Sequence, residues 1–254
     1  MNGSASAPLL SIDAVTKRFG GVVALKDVSF QLEPSTVVGL IGPNGSGKTT
    51  LLNAINGVFS AEGDIRLNGM SIGGKRPSRL AGAGLSRTFQ TTRVFRTLTV
   101  MQNLMVPLLH ETRGGRASAG RHASNLLAFV GLERHARQAA NELSGGQQRL
   151  LEFARALVTR PRLILMDEPF AGVHPEIKKV LIRCIRETVK NEGSSFLIVS
   201  HEVPDLVNMS DSMVCLVEGQ VAASGSPTAV IHDEKVIEGY LGRDKSPEHD
   251  SHFG

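Results

Sequence analysis

Residues 36–50 read TVVGLIGPNGSGKTT, and the fold follows from how that stretch divides. Thr36 to Gly42 is a continuous apolar run between Pro34 and Pro43. Such a run, without polar alternation, marks a strand buried on both faces, as in a mostly parallel sheet flanked by helices. Gly42 to Thr49 then fits the spacing GxxxxGK[ST]. That spacing carries meaning only between a strand and a helix. Helix signals do follow, from Lys48 to about Asn56, with Gly57 as the stop. Gly42, Gly45 and Gly47 let backbone N–H groups turn inward around phosphate oxygens. The helix N-terminus adds roughly half a positive charge. Lys48 is placed to reach the outer phosphates, and the Thr49 hydroxyl to ligate Mg²⁺. Pro43, Asn44, Ser46 and Thr50 complete the phosphate-binding stretch.

A phosphate loop of this kind needs an acid to hold its metal. RLILMDEP places Asp167 and Glu168 at the end of an apolar strand. Adjacent side chains at a strand end point different ways, so the two acids can do separate work. Asp167 is expected to hold Mg²⁺ through a water, and Glu168 to polarise an attacking water. His201 follows the strand SFLIVS. A strand's carboxyl end is the ligand side of an α/β sheet, so His201 can serve a γ-phosphate or the water. Taken alone, it reads as readily as a structural histidine.

A second segment, NELSGGQQR at Asn141–Arg149, has the features of another anion cradle. Ser144 and Gln147 can form a capping box. Yet Gly145 and Gly146 each cost about 1 kcal/mol relative to Ala in a helix, so something there requires bare backbone. A phosphate approached by N–H groups is the best candidate.

The remaining pattern is α/β with one interruption. LLSIDAVTKRF and VALKDVSFQLE are strands that can pair across Gly20-Gly21, and GDIRLNGMSI is a hairpin turning at Asn68-Gly69. GLSRTFQ is a strand ending at Gln90. From about Val100 to Ala140 the chain reads as helices around a mobile basic loop, Glu111 to Ala123. Helices at Gly145–Thr159 and Pro175–Asn191, strands RLILMD and SFLIVS, a hairpin MVCLVEGQVAASG and a capped helix at Ser226-Pro227 follow. Among 254 residues, aromatics make up 4% with no Trp, which argues against a base-stacking surface and nucleic-acid partners. The net charge of +4 suits a phosphate ligand or an anionic membrane surface as well as an ordinary basic one. Cys184 and Cys215 sit in apolar patterns and read as buried free thiols. The start MNGSASAP lacks a leader pattern, and no apolar run is long enough to span a bilayer, so a cytoplasmic chain is expected.

With the phosphate loop, the Gln90 segment, LSGGQQ, the acid pair and His201 in this order, the chain resembles the ATP-binding cassette (ABC) ATPases. The resemblance runs from about Leu9 to Gly242. It implies a P-loop NTPase core of mostly parallel sheet, an N-terminal antiparallel β subdomain and an inserted α-helical subdomain. It places one ABC ATPase domain at 9–242, with the helical lobe and signature within about 98–160. Disordered residues 1–8 and a polar tail at 243–254 flank it. By the resemblance ATP and Mg²⁺ are the ligands and ATP hydrolysis the reaction. Phe19 would stack on adenine, Gln90 would touch Mg²⁺ and the water, and His201 would be the switch histidine. Cassettes pair head to tail, so Ser144, Gly145, Gly146 and Gln147 would close in trans on the nucleotide of a second ABC ATPase, in a homodimer or heterodimer. The implied partners also include integral-membrane permease subunits and, indirectly, a solute-binding protein, with the ATPase on the inner face of the plasma membrane.

Arg-Thr-Phe-Gln at 87–90, RVFRTLTVMQNL, FAGVHP and VIEGYLG resemble the branched-chain amino-acid importer ATPases within the family. Phe89, Val94, Phe95 and Leu98 are then candidates for the groove that receives the permease, or for lobe core. His174 and Ser200 depart from that branch's usual residues, and the loop Glu111 to Ala123 is shorter and more basic. A lipopolysaccharide-type exporter ATPase, a non-transport cassette ATPase and a P-loop kinase are the rival readings.

Overall fold

The apolar run forms a strand over Val37–Ile41 with all five residues buried. The computed structural model describes residues 7–109 and 115–241. In chain order it contains β1 (Leu10–Phe19), β2 (Val22–Leu32), β3 (Val37–Ile41), α1 (Lys48–Ile55), β4 (Glu62–Leu67), β5 (Met70–Ser71), α2 (Pro77–Gly82) and β6 (Leu85–Arg87). Then come α3 (Val100–Leu108), α4 (Gly115–Phe129), α5 (Gly145–Leu157), β7 (Leu163–Asp167), α6 (Pro175–Glu192) and β8 (Ser195–Val199). The last elements are α7 (Val203–Met209), β9 (Ser212–Val217), β10 (Gln220–Gly225), α8 (Pro227–Ile231) and α9 (Glu234–Leu241). The expected tail at 243–254 lies outside the described residues.

Two sheets result. Strands in the order β2-β1-β4-β5 pair antiparallel, and β10-β9-β3-β8-β7-β6 form the larger sheet. Within the larger sheet β9, β3, β8, β7 and β6 run parallel, and β10 closes the edge antiparallel to β9. The alternation of a strand's side chains divides its residues between two cores. Val38 and Leu40 of β3, with Leu163 and Leu165 of β7, face the small sheet and α1, joining Leu10, Ile12, Leu51 and Leu52. Val37, Ile41, Ile164 and Met166 face the other way, toward α5, α6 and the helical lobe, with Phe153, Leu181 and Leu104. Each fully buried Leu or Ile contributes about 1.5–3 kcal/mol through burial, which explains why the run tolerates no polar residue. Cys184 and Cys215 are both free and buried, and burial pushes each thiol up to about 11.

Three expectations are revised. The strand expected to reach Gln90 ends at Arg87, because Arg149 of α5 donates to the carbonyls of Phe89 (2.7 Å) and Gln90 (2.8 Å) and draws them out of the ladder. The stretch expected as a mobile loop to Ala123 is helical from Gly115. There Ala123 is buried, Ala119 packs against the core, and His122 Nε2 lies 3.0 Å from the Val158 carbonyl. These contacts outweigh Gly120, which costs about 1 kcal/mol in a helix. The short helices α2, α7 and α9 have no counterpart in the sequence reading.

Candidate active site

The loop after β3 turns in a way only glycine permits. Gly42 has φ +148°, and a Cβ there would lie 2.1 Å from the Leu216 carbonyl oxygen. Gly47 has φ +102° and a Cβ would meet the Ala24 carbonyl at 2.6 Å. The loop is therefore pressed against β9 on one side and β2 on the other, and its bare backbone lines a cleft of about 300 Å³. Lys48 is buried, with Nζ donating to the carbonyls of Gly42 (2.7 Å) and Pro43 (3.0 Å). Gly45, Thr49 and Thr50 line the same cleft beside Asn44. Ser46 is wholly buried behind the loop, its Oγ without a hydrogen-bond partner.

The carboxyl ends of the neighbouring parallel strands supply the opposite wall. Asp167 ends β7, and Glu168 follows in the left-handed region at φ +49°, a conformation costing an ordinary residue about 1–2 kcal/mol. Two contacts hold it. The Glu168 N–H donates to the Val199 carbonyl at 2.9 Å, and the His201 N–H donates to Glu168 Oε2 at 3.1 Å. His201 Nε2 lies 3.2 Å from Oε1 but is not aligned for a hydrogen bond, so Oε1 is buried without a hydrogen-bonded partner. Burial pushes the Glu168 carboxyl above the usual glutamate range, and the His201 N–H and ring partly oppose this. Asp167 sits 3.4 Å from Arg87, whose guanidinium also donates to Asn53 of α1 at 2.7 Å.

The structure thus brings Asn44, Gly45, Gly47, Lys48, Thr49, Thr50, Gln90, Asp167, Glu168 and His201 around one cleft. Phe19 is not among its lining residues. It stands 48% exposed at the end of β1, with Phe59 edge-on at 5.3 Å and the Lys17 ammonium 5.1 Å from its ring centre. Ser144 to Gln147 are also outside it. Ser144 caps α5 as a full capping box, its Oγ accepting from the Gln147 N–H at 3.3 Å and its N–H donating to Gln147 Oε1 at 2.9 Å. The two glycines differ. A Cβ on Gly146 would meet Ile177 of α6 at 2.8 Å, whereas one on Gly145 would meet nothing within 4 Å. Part of the bare backbone expected for a phosphate is therefore explained by helix packing, and Gly145 alone faces open space. His174 caps α6, its Nδ1 accepting from the Glu176 N–H at 3.3 Å, and the buried Ser200 hydroxyl accepts from the Glu202 N–H at 3.1 Å. Sequence reasoning missed the pairing of Arg87 with Asp167, quoting Arg87 only within Arg-Thr-Phe-Gln, and the cleft wall at Ala24 and Val199.

A glycine cradle at a helix N-terminus, a buried lysine, an acid pair at a strand end and a histidine just past the end of the next strand define a P-loop nucleoside triphosphatase. The family model described as ABC transporter matches residues 25–171. The high-affinity branched-chain amino acid transport ATP-binding protein LivG of Escherichia coli (strain K12) is 34% identical over 252 residues, covering 93% of this chain and 99% of that protein. A solved ADP conformation of an ATP-binding cassette of an ABC transporter is 33% identical, with a TM-score of 0.84 over 93% of this chain and 100% of that one. A dimeric, post-hydrolysis cassette bound to ADP and Pi is 26% identical, with a TM-score of 0.77 over 86% of this chain and 98% of that one. The chain belongs to the ABC transporter family, as an ATP-binding cassette ATPase.

Proposed function

We propose that this ATPase powers the import of branched-chain or related amino acids. The observation that carries the reading is the likeness to LivG, which spans nearly the whole of both chains. In this reading Lys48 and His201 neutralise the γ-phosphate, and the loop N–H groups orient the triphosphate. The orphaned Glu168 Oε1 accepts a hydrogen bond from the attacking water and polarises it. The donor set suits Mg²⁺, a hard ion that takes oxygen ligands and shares them with phosphates. Among the described residues there is no cluster of three His, Cys, Asp or Glu that would hold a metal by itself. Thr49, Gln90 and, through a water, Asp167 would hold the ion, which when bound screens the phosphate charge.

The signature lies outside the chain's own cleft, and Gly145 faces open space. Both features support closure in trans on a second ABC ATPase, identical or not. A second helix N-terminus over the γ-phosphate would exclude water from all but the attack position. ATP would then stabilise the pair, and hydrolysis would release it, a differential affinity able to drive a permease. No helix among the described residues is long and apolar enough to cross a membrane. The chain would therefore act peripherally, on the inner face of the membrane, with permease subunits in the groove beside Gln90. Phe95, 44% exposed, and the half-buried Phe89 support that placement over a role in lobe core.

The test is uptake of leucine, isoleucine and valine by cells in which Glu168→Gln replaces the unmutated chain. Uptake should fall to that of cells lacking the gene. Unchanged uptake of all three, with loss of another solute's transport, would move the substrate elsewhere.

A further inference from the structure

Gly42 is held at both of its backbone groups. Its carbonyl accepts from Lys48 Nζ at 2.7 Å. Its N–H donates to the hydroxyl of Tyr240 at 2.8 Å, across 198 residues of sequence. Gly42 itself is buried, and no other residue type fits there, because a Cβ would collide with the Leu216 carbonyl. The N–H that opens the phosphate loop therefore has its side-chain partner on α9. The helix is positioned closely: Val236 is buried, and a Cβ on Gly239 would lie 2.7 Å from Val217 Cγ2. The Tyr240 ring borders an apolar cavity of about 290 Å³ shared with Ile41 before the loop and Val203 after His201. Tyr240 therefore shares one cavity with the residue before the phosphate loop and with the first residue of α7, just past His201. Burial pushes its phenol up to about 12, so the oxygen stays a neutral hydroxyl able to accept the Gly42 N–H. Tyr240 lies well beyond the segment that matches the family model, residues 25–171.

We propose that Tyr240 is a positioning residue of the nucleotide site, its hydroxyl fixing the first peptide of the phosphate loop and its ring sensing nucleotide occupancy. The inference rests on the ATPase reading. When phosphates enter, Lys48 must turn from the Gly42 carbonyl toward them, and Gly42 then depends on its N–H anchor. Without the hydroxyl a buried N–H is left unpaired, and the loop must be ordered at the moment of binding, which weakens affinity.

Calorimetric titration of the full chain with Mg·ADP tests this. Tyr240→Phe should raise Kd about three- to tenfold while the melting temperature stays near that of the unmutated protein. Ile237→Ala, which borders the same cavity but makes no polar contact with the loop, should leave Kd unchanged. Equal Kd for Tyr240→Phe and the unmutated chain overturns the proposal, as does an equal rise in both variants, which would mean a purely structural role. Should Tyr240→Phe fail to fold, the unmutated chain decides. It holds one Tyr and no Trp, so all its near-ultraviolet-excited emission comes from Tyr240. That emission should change saturably with Mg·ADP, and emission that stays constant at saturation overturns the proposal. Failure of the unmutated chain to bind Mg·ADP at all would instead sink the ATPase reading.

Discussion

Arg87 and Asp167 form an ion pair across adjacent parallel strands, 3.4 Å apart and with side chains 5% and 8% exposed. Burial lowers the arginine's pKa, and the neighbouring carboxylate opposes part of this. Breaking such a pair from one side leaves a charge buried alone and costs about 3 kcal/mol or more. Arg87→Met is therefore expected to lower unfolding stability by roughly that amount. Adding Asp167→Asn should restore much of the loss, and Arg87→Lys should restore less than the parent. A lysine lacks the planar fork that serves Asn53 and Asp167 together. Denaturant unfolding of these three variants and of Asp167→Asn alone checks this, and strictly additive losses would mean the pair is not coupled.

The Glu168 carboxylate is hydrogen-bonded at one oxygen, while the other is buried beside the His201 ring without a hydrogen bond. Oε2 accepts from the His201 N–H, and Oε1 has no hydrogen-bonded partner. Glu168→Gln preserves the shape but removes the charge that polarises water. Steady-state hydrolysis should fall by about two to four orders of magnitude, with Mg·ATP binding by calorimetry kept. Normal turnover in this variant would remove Glu168 from its assigned role.

The core and the cleft were legible in the sequence because both rest on local pattern. The apolar runs at Val37–Ile41, Leu163–Asp167 and Ser195–Val199 could only be covered strands, and the glycine spacing after the first fixed the loop. What escaped depends on contacts far apart in the chain. The Gln90 segment leaves the sheet because of an arginine some sixty residues on, Arg149. From Gly115 the stretch before Ala123 is helical because Ala119 and Ala123 find a core to pack on. Gly146 has a second reason for bare backbone, the packing of Ile177 against it, which no local pattern shows. Tyr240 gave no local sign of the Gly42 N–H it receives.

Phe95 is exposed, yet its backbone is fixed. Its N–H donates to Asn103 Oδ1 at 2.8 Å, and its carbonyl accepts from Asn103 Nδ2 at 3.0 Å. Arg155 stacks 4.7 Å from the ring centre. Charge placed on so exposed a ring should change stability by less than about 1 kcal/mol. Phe95→Asp is expected to keep nucleotide binding and to lose permease association and transport. Co-purification with membranes measures this, and an unfolded variant would return Phe95 to the lobe core.

The two signature glycines offer the sharpest separation of packing from catalysis. Gly145→Ala meets nothing within 4 Å, and alanine is favoured over glycine in a helix by about 1 kcal/mol. This variant should be as stable as the parent or slightly more so. Under the proposed trans arrangement, a methyl group on the open face would nevertheless stand where a second cassette's phosphates approach the backbone. Hydrolysis by the paired protein should therefore fall by tenfold or more, by the order of one lost oxyanion-type donor at about 10²-fold. Gly146→Ala should do the reverse first: its Cβ reaches Ile177 Cγ1 at 2.8 Å, so α5 and α6 must part or Ile177 must turn, and the melting temperature drops. Ile177→Val should recover part of that stability. Measuring both melting temperature and ATPase rate in these three variants and the parent separates the roles. A Gly145→Ala protein that hydrolyses ATP at the parent's rate would leave the open backbone at 145 without a ligand and the trans arrangement without its support.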